Sequence, residues 1–536
     1  MHHQLLFVLG LLFVVFLLVM LAQKIRIAYP IFLVIGGLGI SFVPGMPMIS
    51  LNPDLIFLLF LPPLLYEAAW FTSWNDFWKA KRPIALLAFG LVFFTSMVVA
   101  YSSVALIPGF TLAMGFLLGG IVSPPDAVAA ATVLKGIKVP KRILTILEGE
   151  SLVNDASSLI VFRFALAAII TGTFSLQQAT GSFFLMAGMG IVVGLVIANI
   201  LYLIHRFLPT TSAIDAALTL MTPYFMYLAA EQFHYSGVMA VVSGGLFLSY
   251  RSHEVFNNGA TRLNMQGVWT TVIFVLNALV FILIGLELPV IVAGLGESSI
   301  MQGIGYGIII SFITIVVRFI WIYPATYIPR FLSKSIRTRE PNPGWKGPFI
   351  VASAGMRGVV SLATALSIPL MLKDGTEFPM RNLILLITFI VIFVTLVFQG
   401  LLLPLIIRLI KIDTAESETS HEQTMAGNQA NLNKIAIKRL KENYELEVSQ
   451  NSLVSFYKIK MENNLNEIEK QFEAAECNPA FSEDIVIYHK VLKDIYSLQR
   501  KELFRMRREK IFDDDGIRKM EMQLDLDDMK ITNSIH

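Results

Sequence analysis

Residues 119–126 have the sequence Gly-Gly-Ile-Val-Ser-Pro-Pro-Asp and lie inside an apolar segment at 110–134. Consecutive prolines remove two backbone donors and clash with the preceding turn, so we expect the helix to break at Pro124 and Pro125. The break exposes carbonyl groups and the N-terminus of a half-helix, where Asp126 is placed to act as a cap. Within a membrane such irregular backbone is tolerated only where it lines a cavity.

A second interruption is expected at residues 353–358, where Ser-Ala-Gly-Met-Arg-Gly divides a late apolar segment at Gly355 and Gly358. Two interrupted helices in corresponding halves of a chain are typical of inverted-repeat transporters. The breaks fall in the fifth and twelfth apolar segments, which favours repeats of segments 1–6 and 8–13. We therefore predict an all-α polytopic membrane protein with inverted repeats and two discontinuous, crossing helices.

The composition divides the chain of 536 residues into two parts. Residues 1–411 hold 39 charged side chains and residues 412–536 hold 42, although the second part is much shorter. We predict a transmembrane domain at 1–411, a polar linker at 412–431 and a helical cytoplasmic tail at 432–536. The net charge of +3 is too small to indicate nucleic-acid binding. No zinc or dinucleotide motif is present, so we expect no cofactor and no enzyme activity.

A membrane-spanning helix needs about 20 mostly apolar residues, and the sequence contains thirteen candidates. Nineteen Lys and Arg residues fall in loops on one side of this arrangement, whereas only Lys373 and Arg381 fall on the other. This bias predicts a multi-pass protein of the cell membrane, with the N-terminus outside and the tail in the cytoplasm. The candidate spans are 5–22, 30–43, 54–71, 83–107, 110–134, 142–171, 181–206, 212–231, 236–250, 267–290, 301–328, 347–371 and 381–410.

Ionisable side chains inside a span indicate function because burying them in a membrane is costly. In the span at 142–171, helical spacing puts Glu148, Ser151 and Asp155 on one stripe. Glu150 and Asn154 lie on a second stripe, so two separate roles are expected. The hydroxyl and carboxylate of the first stripe are oxygen ligands suited to Na⁺. The alternative is that these polar groups only bond neighbouring helices.

Other intramembrane charges need partners or functions. Arg357, at the second break, requires an anion, and we expect a structural ion pair with Glu150. In the third segment, Pro62 and Pro63 predict another proline-broken helix. Glu67, close to that break, is either a ligand of the cation or an interfacial glutamate. For Arg163 and Arg318 the sequence favours structural pairing or snorkelling toward the interface.

These motifs together resemble the monovalent cation:proton antiporter-1 family of sodium/proton exchangers, near its bacterial NhaP-like branch. The residues that carry the resemblance are Glu150-Ser151-x-x-Asn154-Asp155, Leu61-Pro62-Pro63 with Glu67, Ser123-Pro124-Pro125-Asp126 and Gly355-Met356-Arg357-Gly358.

The resemblance implies a thirteen-helix homodimer with separate dimerisation and core domains. It implies that Asp155 carries the cation or the proton, and that Asn154 makes the exchange electroneutral. By matching position, Ser151, Asp126 and Glu67 are cation-site residues, and Glu150–Arg357 is the structural ion pair. One departure concerns cation choice: many microbial members have Thr-Asp-Pro at the first break, whereas this chain has Pro125-Asp126-Ala127.

The leading prediction is a secondary transporter of the lipid bilayer that exchanges Na⁺ or Li⁺ for H⁺, one for one, by alternating access with competition at Asp155. A K⁺/H⁺ antiporter of the same fold is the first alternative. A cation channel is less favoured, because channels usually surround one pore with several subunits. An intramembrane aspartyl protease would need a dyad of Asp126 and Asp155, but the Gly-x-Gly-Asp element of that class is absent.

Overall fold

The computed structural model describes residues 2–43, 53–135, 137, 139–172, 176–256, 259–295, 297–339, 342–372, 375–410 and 415–475, together with parts of 491–527. The chain divides into two compact units, Met1–Ile412 and Asp413–His536. The regular elements in these described ranges are helices, in agreement with the predicted all-α class.

The helices of the first unit follow one another with short connections. They are α1 (His2–Ile25), α2 (Tyr29–Ser41), α3 (Pro53–Phe71), α4 (Trp74–Lys79), α5 (Lys81–Ala85), α6 (Val92–Leu106), α7 (Leu112–Val122), α8 (Ala127–Leu134), α9 (Lys141–Thr171), α10 (Leu176–Phe207), α11 (Ser212–Gln232), α12 (Gly237–Tyr250), α13 (Ser252–Val255), α14 (Gly259–Leu286), α15 (Leu288–Ala293), α16 (Glu297–Leu332), α17 (Lys334–Arg339), α18 (Lys346–Ser353), α19 (Val359–Leu366), α20 (Arg381–Phe393) and α21 (Gly400–Ile410). Wider π-helical turns at Leu86–Leu91 and Val394–Gln399 join α5 to α6 and α20 to α21.

Within the described residues, nine helical segments are long and apolar enough to cross a membrane. They are Val8–Ile25, Lys81–Leu106, Leu112–Leu134, Lys141–Thr171, Gly181–Phe207, Ser212–Gln232, Thr261–Ala293, Ser299–Leu332 and Arg381–Ile410. Shorter apolar helices occupy Tyr29–Ser41, Leu58–Phe71 and Gly237–Tyr250. With the interrupted pair α18 and α19, these segments coincide with the thirteen candidates; the exact number of spans stays a prediction.

The helices of the first unit form two groups. In the scaffold group, defined as α1–α3 and α10–α15, α2 packs on α14 and α12 packs on α3 and α10. In the core group, defined as α5–α9 and α16–α21, α7 packs between α6 and α9, and α16 packs on α20 and α6. The core group contains both interrupted helices, α7–α8 and α18–α19, as well as α9.

Glycines on α7 set its close packing against α6. A Cβ at Gly115 or Gly119 would lie 2.6 Å from the backbone oxygen of Ala100 or Ser96, so only glycine permits this approach. The helix then ends at Val122, with Ser123 as the one residue before the two prolines, as predicted. The same glycine-rich sequence therefore both packs α7 tightly and places the first break beside α9.

The prolines of the third span do not break it. The sequence predicts a proline-broken helix at Pro62 and Pro63, but α3 runs through both from Pro53 to Phe71. A helix loses one hydrogen bond at each proline yet can continue where its neighbours hold it. Pro62 and Pro63 are buried among such neighbours.

The second unit is also helical, with α22 (Ala415–Asn443), α23 (Glu445–Gln450) and α24 (Ser452–Ala475). The linker at 412–431 stays a prediction, and its residues 415–431 form the first turns of α22. Its polar sequence includes Ala, Glu, Gln and Met, which have high helix propensity. Residues 412–414 and the lone Cys477 lie outside the described residues.

Deleting residues 415–536 is expected to leave an assembled transport domain, because every candidate site residue precedes residue 411. We expect the truncated protein to insert, elute as one species and catalyse exchange within about tenfold of the full-length rate, or about 1.4 kcal/mol in the barrier. Size-exclusion chromatography and transport in proteoliposomes measure both properties. A truncated protein that inserts and elutes normally but does not transport would contradict this independence.

Candidate ion-binding site

The two interrupted helices meet at their breaks. The first break joins α7 to α8 and the second joins α18 to α19. The backbone N–H of Asp126, in the first break, donates to the carbonyl oxygen of Met356 in the second at 2.7 Å. This bond joins backbone groups that no helix satisfies, and it brings residues from distant parts of the sequence to one place.

The carboxylate of Asp126 lies at the N-termini of both half-helices. Its Oδ1 accepts hydrogen bonds from the N–H groups of Val128 at 2.9 Å and Ala129 at 3.2 Å. The N–H of Val359, the first residue of α19, also faces this carboxylate. Gly358 lies so close that a Cβ would overlap Asp126 Oδ2. The positive ends of two helix dipoles thus face one carboxylate. Position 358 is glycine because a side chain there would overlap that carboxylate.

Two polar side chains of α9 hold the first break from the other side. The Ser151 hydroxyl accepts a hydrogen bond from the N–H of Ala127 at 3.2 Å. The Asn154 amide donates to the carbonyl oxygen of Pro125 at 3.2 Å, while its own buried oxygen has no hydrogen-bond partner among the described residues. The two side chains fix α9 against the break and leave oxygen lone pairs available.

Asp155 lines a cavity of about 380 Å³ that also contains the other predicted site carboxylates. Asp155 is 6% exposed, and Glu67, Asp126 and Glu148 share the cavity wall with it. Ser151 supplies a hydroxyl group to the same wall. The described lining residues include four carboxyl groups and no Lys, Arg or His, so the lining is acidic.

The cavity lies between the two helix groups. Tyr29 of α2, Glu67 of α3 and Asn277 of α14 line it from the scaffold group, whereas α8, α9 and α19 line it from the core group. Its exposed lining residues are Phe71 at the end of α3, Ala131 near the end of α8 and Glu148 near the beginning of α9. These helix ends belong to the Lys/Arg-rich side, so the cavity opens toward that side.

Glu150 pairs with Arg318, not with Arg357 as predicted. Arg318 of α16 donates from both terminal nitrogens to the Glu150 carboxylate, at 2.6 and 2.7 Å, and both side chains are 1% exposed. Arg318 also donates to the carbonyl oxygen of Val351 in α18 at 3.1 and 3.2 Å. The fork of a guanidinium matches a carboxylate in this bidentate geometry. Arg318 thus ties α9 to the helix that precedes the second break.

Arg357 instead bonds backbone carbonyl groups at the crossing. Its Nε donates to the carbonyl oxygen of Val122 at 3.0 Å, and one terminal nitrogen donates to Gly355. Val122 is the last residue of α7, so a positive charge lies at that helix C-terminus, where it is favourable. Within the described chain, no carboxylate lies within 4.0 Å of this guanidinium. The backbone dipoles of the break are therefore its partners.

A third intramembrane arginine connects the two helix groups. One terminal nitrogen of Arg163, on α9, donates to both carboxylate oxygens of Glu231, on α11, at 2.8 and 2.9 Å. Glu231 also accepts from the N–H of Gly237, at the start of α12. The prediction of structural pairing names no partner for Arg163 or Arg318, and the structure supplies one for each.

Sequence reasoning did not identify two residues of the site. Arg318 was recognised only as an unassigned intramembrane charge. Asn277, a polar residue in the apolar sequence Phe-Val-Leu-Asn-Ala-Leu of α14, was not singled out. The signal for each is a polar group in an otherwise apolar span, which in a membrane indicates a partner or a ligand.

Comparison with known proteins agrees with this architecture. A family model described as sodium/hydrogen exchanger, transmembrane, matches residues 10–409. The sodium, potassium, lithium and rubidium/H⁺ antiporter of Bacillus subtilis is 38% identical over 385 residues, which are 69% of this chain and 56% of that protein. A similar antiporter of Bacillus pumilus is 37% identical over 70% of this chain and 57% of that protein. The chain thus matches little more than half the length of these two relatives.

Other relatives match over more of their length. The Na⁺/H⁺ antiporter ApNhaP of Aphanothece halophytica is 35% identical over 405 residues, 74% of this chain and 73% of that protein. The solved structure of the sodium proton antiporter MjNhaP1 from Methanocaldococcus jannaschii aligns with a TM-score of 0.58 at 18% identity, covering 74% of this chain and 99% of that one. The latter likeness supports the fold. The chain belongs to the transmembrane sodium/hydrogen exchanger family.

Proposed function

We propose that this protein exchanges Na⁺ or Li⁺ for H⁺, one for one, across the cell membrane, with cation and proton competing for Asp155. The observation that carries the proposal is the cavity in which Asp155, Asp126, Glu67 and Glu148 meet without a basic side chain among the described lining residues. An anionic cavity of this kind attracts monovalent cations and protons and disfavours anions.

The cation ligands in this proposal are oxygen atoms of Asp155, Ser151, Asp126 and Glu67. Na⁺ prefers such hard ligands. The Ser151 hydroxyl uses one lone pair for the N–H of Ala127 and keeps another for the cation. Asn154 acts by orienting the break, since its amide group bonds Pro125. Cation or proton neutralises Asp155, and the loaded core group then moves relative to the scaffold group.

Alternating access requires contacts between the groups to break. Arg163 lies eight residues beyond Asp155 on α9, about 12 Å farther from the cavity mouth, and pairs with Glu231 of the scaffold group. This ion pair supports a closed outer side in the conformation described. The Lys/Arg bias supports an outside N-terminus and a cytoplasmic tail. We also propose that the protein is a homodimer.

K⁺/H⁺ exchange is the second candidate. The Bacillus relatives named above are described as antiporters of potassium and rubidium as well as sodium and lithium. A cavity of about 380 Å³ lined by several carboxyl groups accommodates larger cations than a tight cage does. This alternative uses the same residues and the same competition at Asp155.

Proteoliposomes loaded with a ΔpH-sensitive dye test these proposals. A proton gradient is imposed, and Na⁺, Li⁺ or K⁺ is then added in turn. Saturable dequenching with Na⁺ or Li⁺ is expected, and a larger specificity for K⁺ would favour the second candidate. Liposomes containing Asp155→Asn protein are the matched control for passive leakage. Cation current without coupled proton movement would instead indicate a channel.

Exchange is expected to be electroneutral, because Asp155 titrates whereas its neighbour Asn154 carries an amide that does not. Glu150 stays paired with Arg318 and carries no proton across the membrane. A potential acts on net charge moved, at about 2.3 kcal/mol per charge per 100 mV. One Na⁺ exchanged for one H⁺ moves no net charge, so a membrane potential should not shift the Na⁺ gradient that balances a fixed ΔpH. A thiocyanate gradient sets the potential without adding a transported cation. A shift of the balance point would make Asp126, Glu67 or Glu148 a second proton carrier.

A further inference from the structure

Asn277 is a buried polar side chain that the proposed exchange does not yet use. It lies in the apolar middle of α14 and is 3% exposed, yet it lines the same cavity as Asp155. Its carboxamide group makes no hydrogen bond to the residues that the structure describes. Because Asn277 lines the cavity and its amide group is not used by a described neighbour, that group is available to a ligand inside the cavity.

The position of Asn277 differs from that of the other cation-site candidates on α9. Asp155 and Ser151 belong to the core group, whereas α14 belongs to the scaffold group and packs on α2 and α11. Asn277 therefore lines the opposite wall of the cavity, with Ile273 one turn away on the same helix. A ligand between the two walls would contact both groups at once.

We propose that Asn277 binds the transported cation through its carboxamide oxygen while the cavity is open to the Lys/Arg-rich side. This inference rests on the proposed function. An amide oxygen is a hard, uncharged ligand, so it adds coordination without adding a titrating group. Because the scaffold group does not carry Asp155, movement of the core group removes this ligand. Asn277 thus sets cation affinity and choice on one side of the membrane.

The test compares wild type with Asn277→Ala in proteoliposomes over a range of Na⁺, Li⁺ and K⁺ concentrations. We expect the KM for Na⁺ to rise about tenfold, which is the lower end of the effect of losing a group that supports a metal site. The maximal rate should change little, and the ratios of KM among the three cations should change. Thr271→Ala, an exposed position on the same helix, is the matched control and should leave all KM values unchanged.

A binding measurement separates this inference from the proposed function. Na⁺-dependent thermal stabilisation of detergent-solubilised protein should need higher Na⁺ for Asn277→Ala than for wild type. If wild type shows neither stabilisation nor exchange, the proposed function fails. If wild type shows both and Asn277→Ala has the same KM and Na⁺ dependence, only the role of Asn277 is overturned. A change confined to the proton dependence would also overturn it, because Asn277 would then act on Asp155 rather than on the cation.

Discussion

Asp155→Asn should abolish cation-dependent proton movement without unfolding the protein. The Asp155 carboxylate makes no hydrogen bond to the described part of the chain, so the substitution removes a charge and a proton site but no structural contact. Asparagine has the same shape and remains able to face the cavity. We expect exchange to fall about 100-fold or more, the range for losing a group that gives and takes a proton.

The measurement is ΔpH-dye dequenching in proteoliposomes, with protein amount matched by quantitative immunoblotting. Glu148→Gln is the matched control, because Glu148 lies on the same stripe of α9 but is exposed at the cavity mouth. We expect that variant to keep exchange with a modest change in cation affinity. Exchange at the wild-type rate in Asp155→Asn protein would exclude Asp155 as the carrier, whatever Glu148→Gln does.

Local sequence signals predicted the crossing helices well. Pro124 and Pro125 end α7, and the segment around Gly355 and Gly358 separates α18 from α19. In each case the backbone chemistry of a few residues prevents a regular helix. The same signal fails in α3, where two prolines leave the helix uninterrupted. Whether a proline kinks or breaks a helix depends on neighbouring helices, and a single sequence does not supply these.

The partners of buried charges were less predictable. Glu150 and Arg318 are 168 residues apart, and helical spacing says only that Glu150 points away from the Asp155 stripe. Arg357, at the second break, requires an anion, and the sequence predicts Glu150 as its partner. The structure shows why that choice was wrong: the break gives Arg357 its own carbonyl partners. Pairing across a bundle is set by tertiary packing, which residue spacing within one helix does not encode.

Removing either partner of the Glu150–Arg318 pair should destabilise the fold strongly. Both side chains are 1% exposed, so Glu150→Gln leaves a buried guanidinium and Arg318→Gln leaves a buried carboxylate. Breaking a buried pair in this way costs about 3–5 kcal/mol. Since Arg318 also bonds Val351, its loss should loosen the helix that leads into the second break and reduce exchange as well.

Thermal unfolding of the detergent-solubilised protein measures this effect. The partly exposed pair Arg163–Glu231 provides the comparison, because its side chains are 39% and 28% exposed and removing one partner does not leave the other charge fully buried. Ion pairs that are not buried typically contribute about 0–1 kcal/mol. Arg163→Gln should therefore shift the unfolding temperature much less than Arg318→Gln does, although both remove an arginine that bonds a glutamate.

A double-mutant cycle identifies the partner of Glu150. Glu150→Gln with Arg318→Gln removes both charges together, so the double variant should recover part of the stability lost by each single one. Residues in contact give coupling energies of about 0.5–3 kcal/mol, whereas independent residues give additive losses. Glu150→Gln with Arg357→Gln should be closer to additive, because Arg357 bonds the carbonyl groups of Val122 and Gly355. If the second cycle showed the larger coupling, Arg357 would be the true partner, and Arg318 would hold only the carbonyl of Val351.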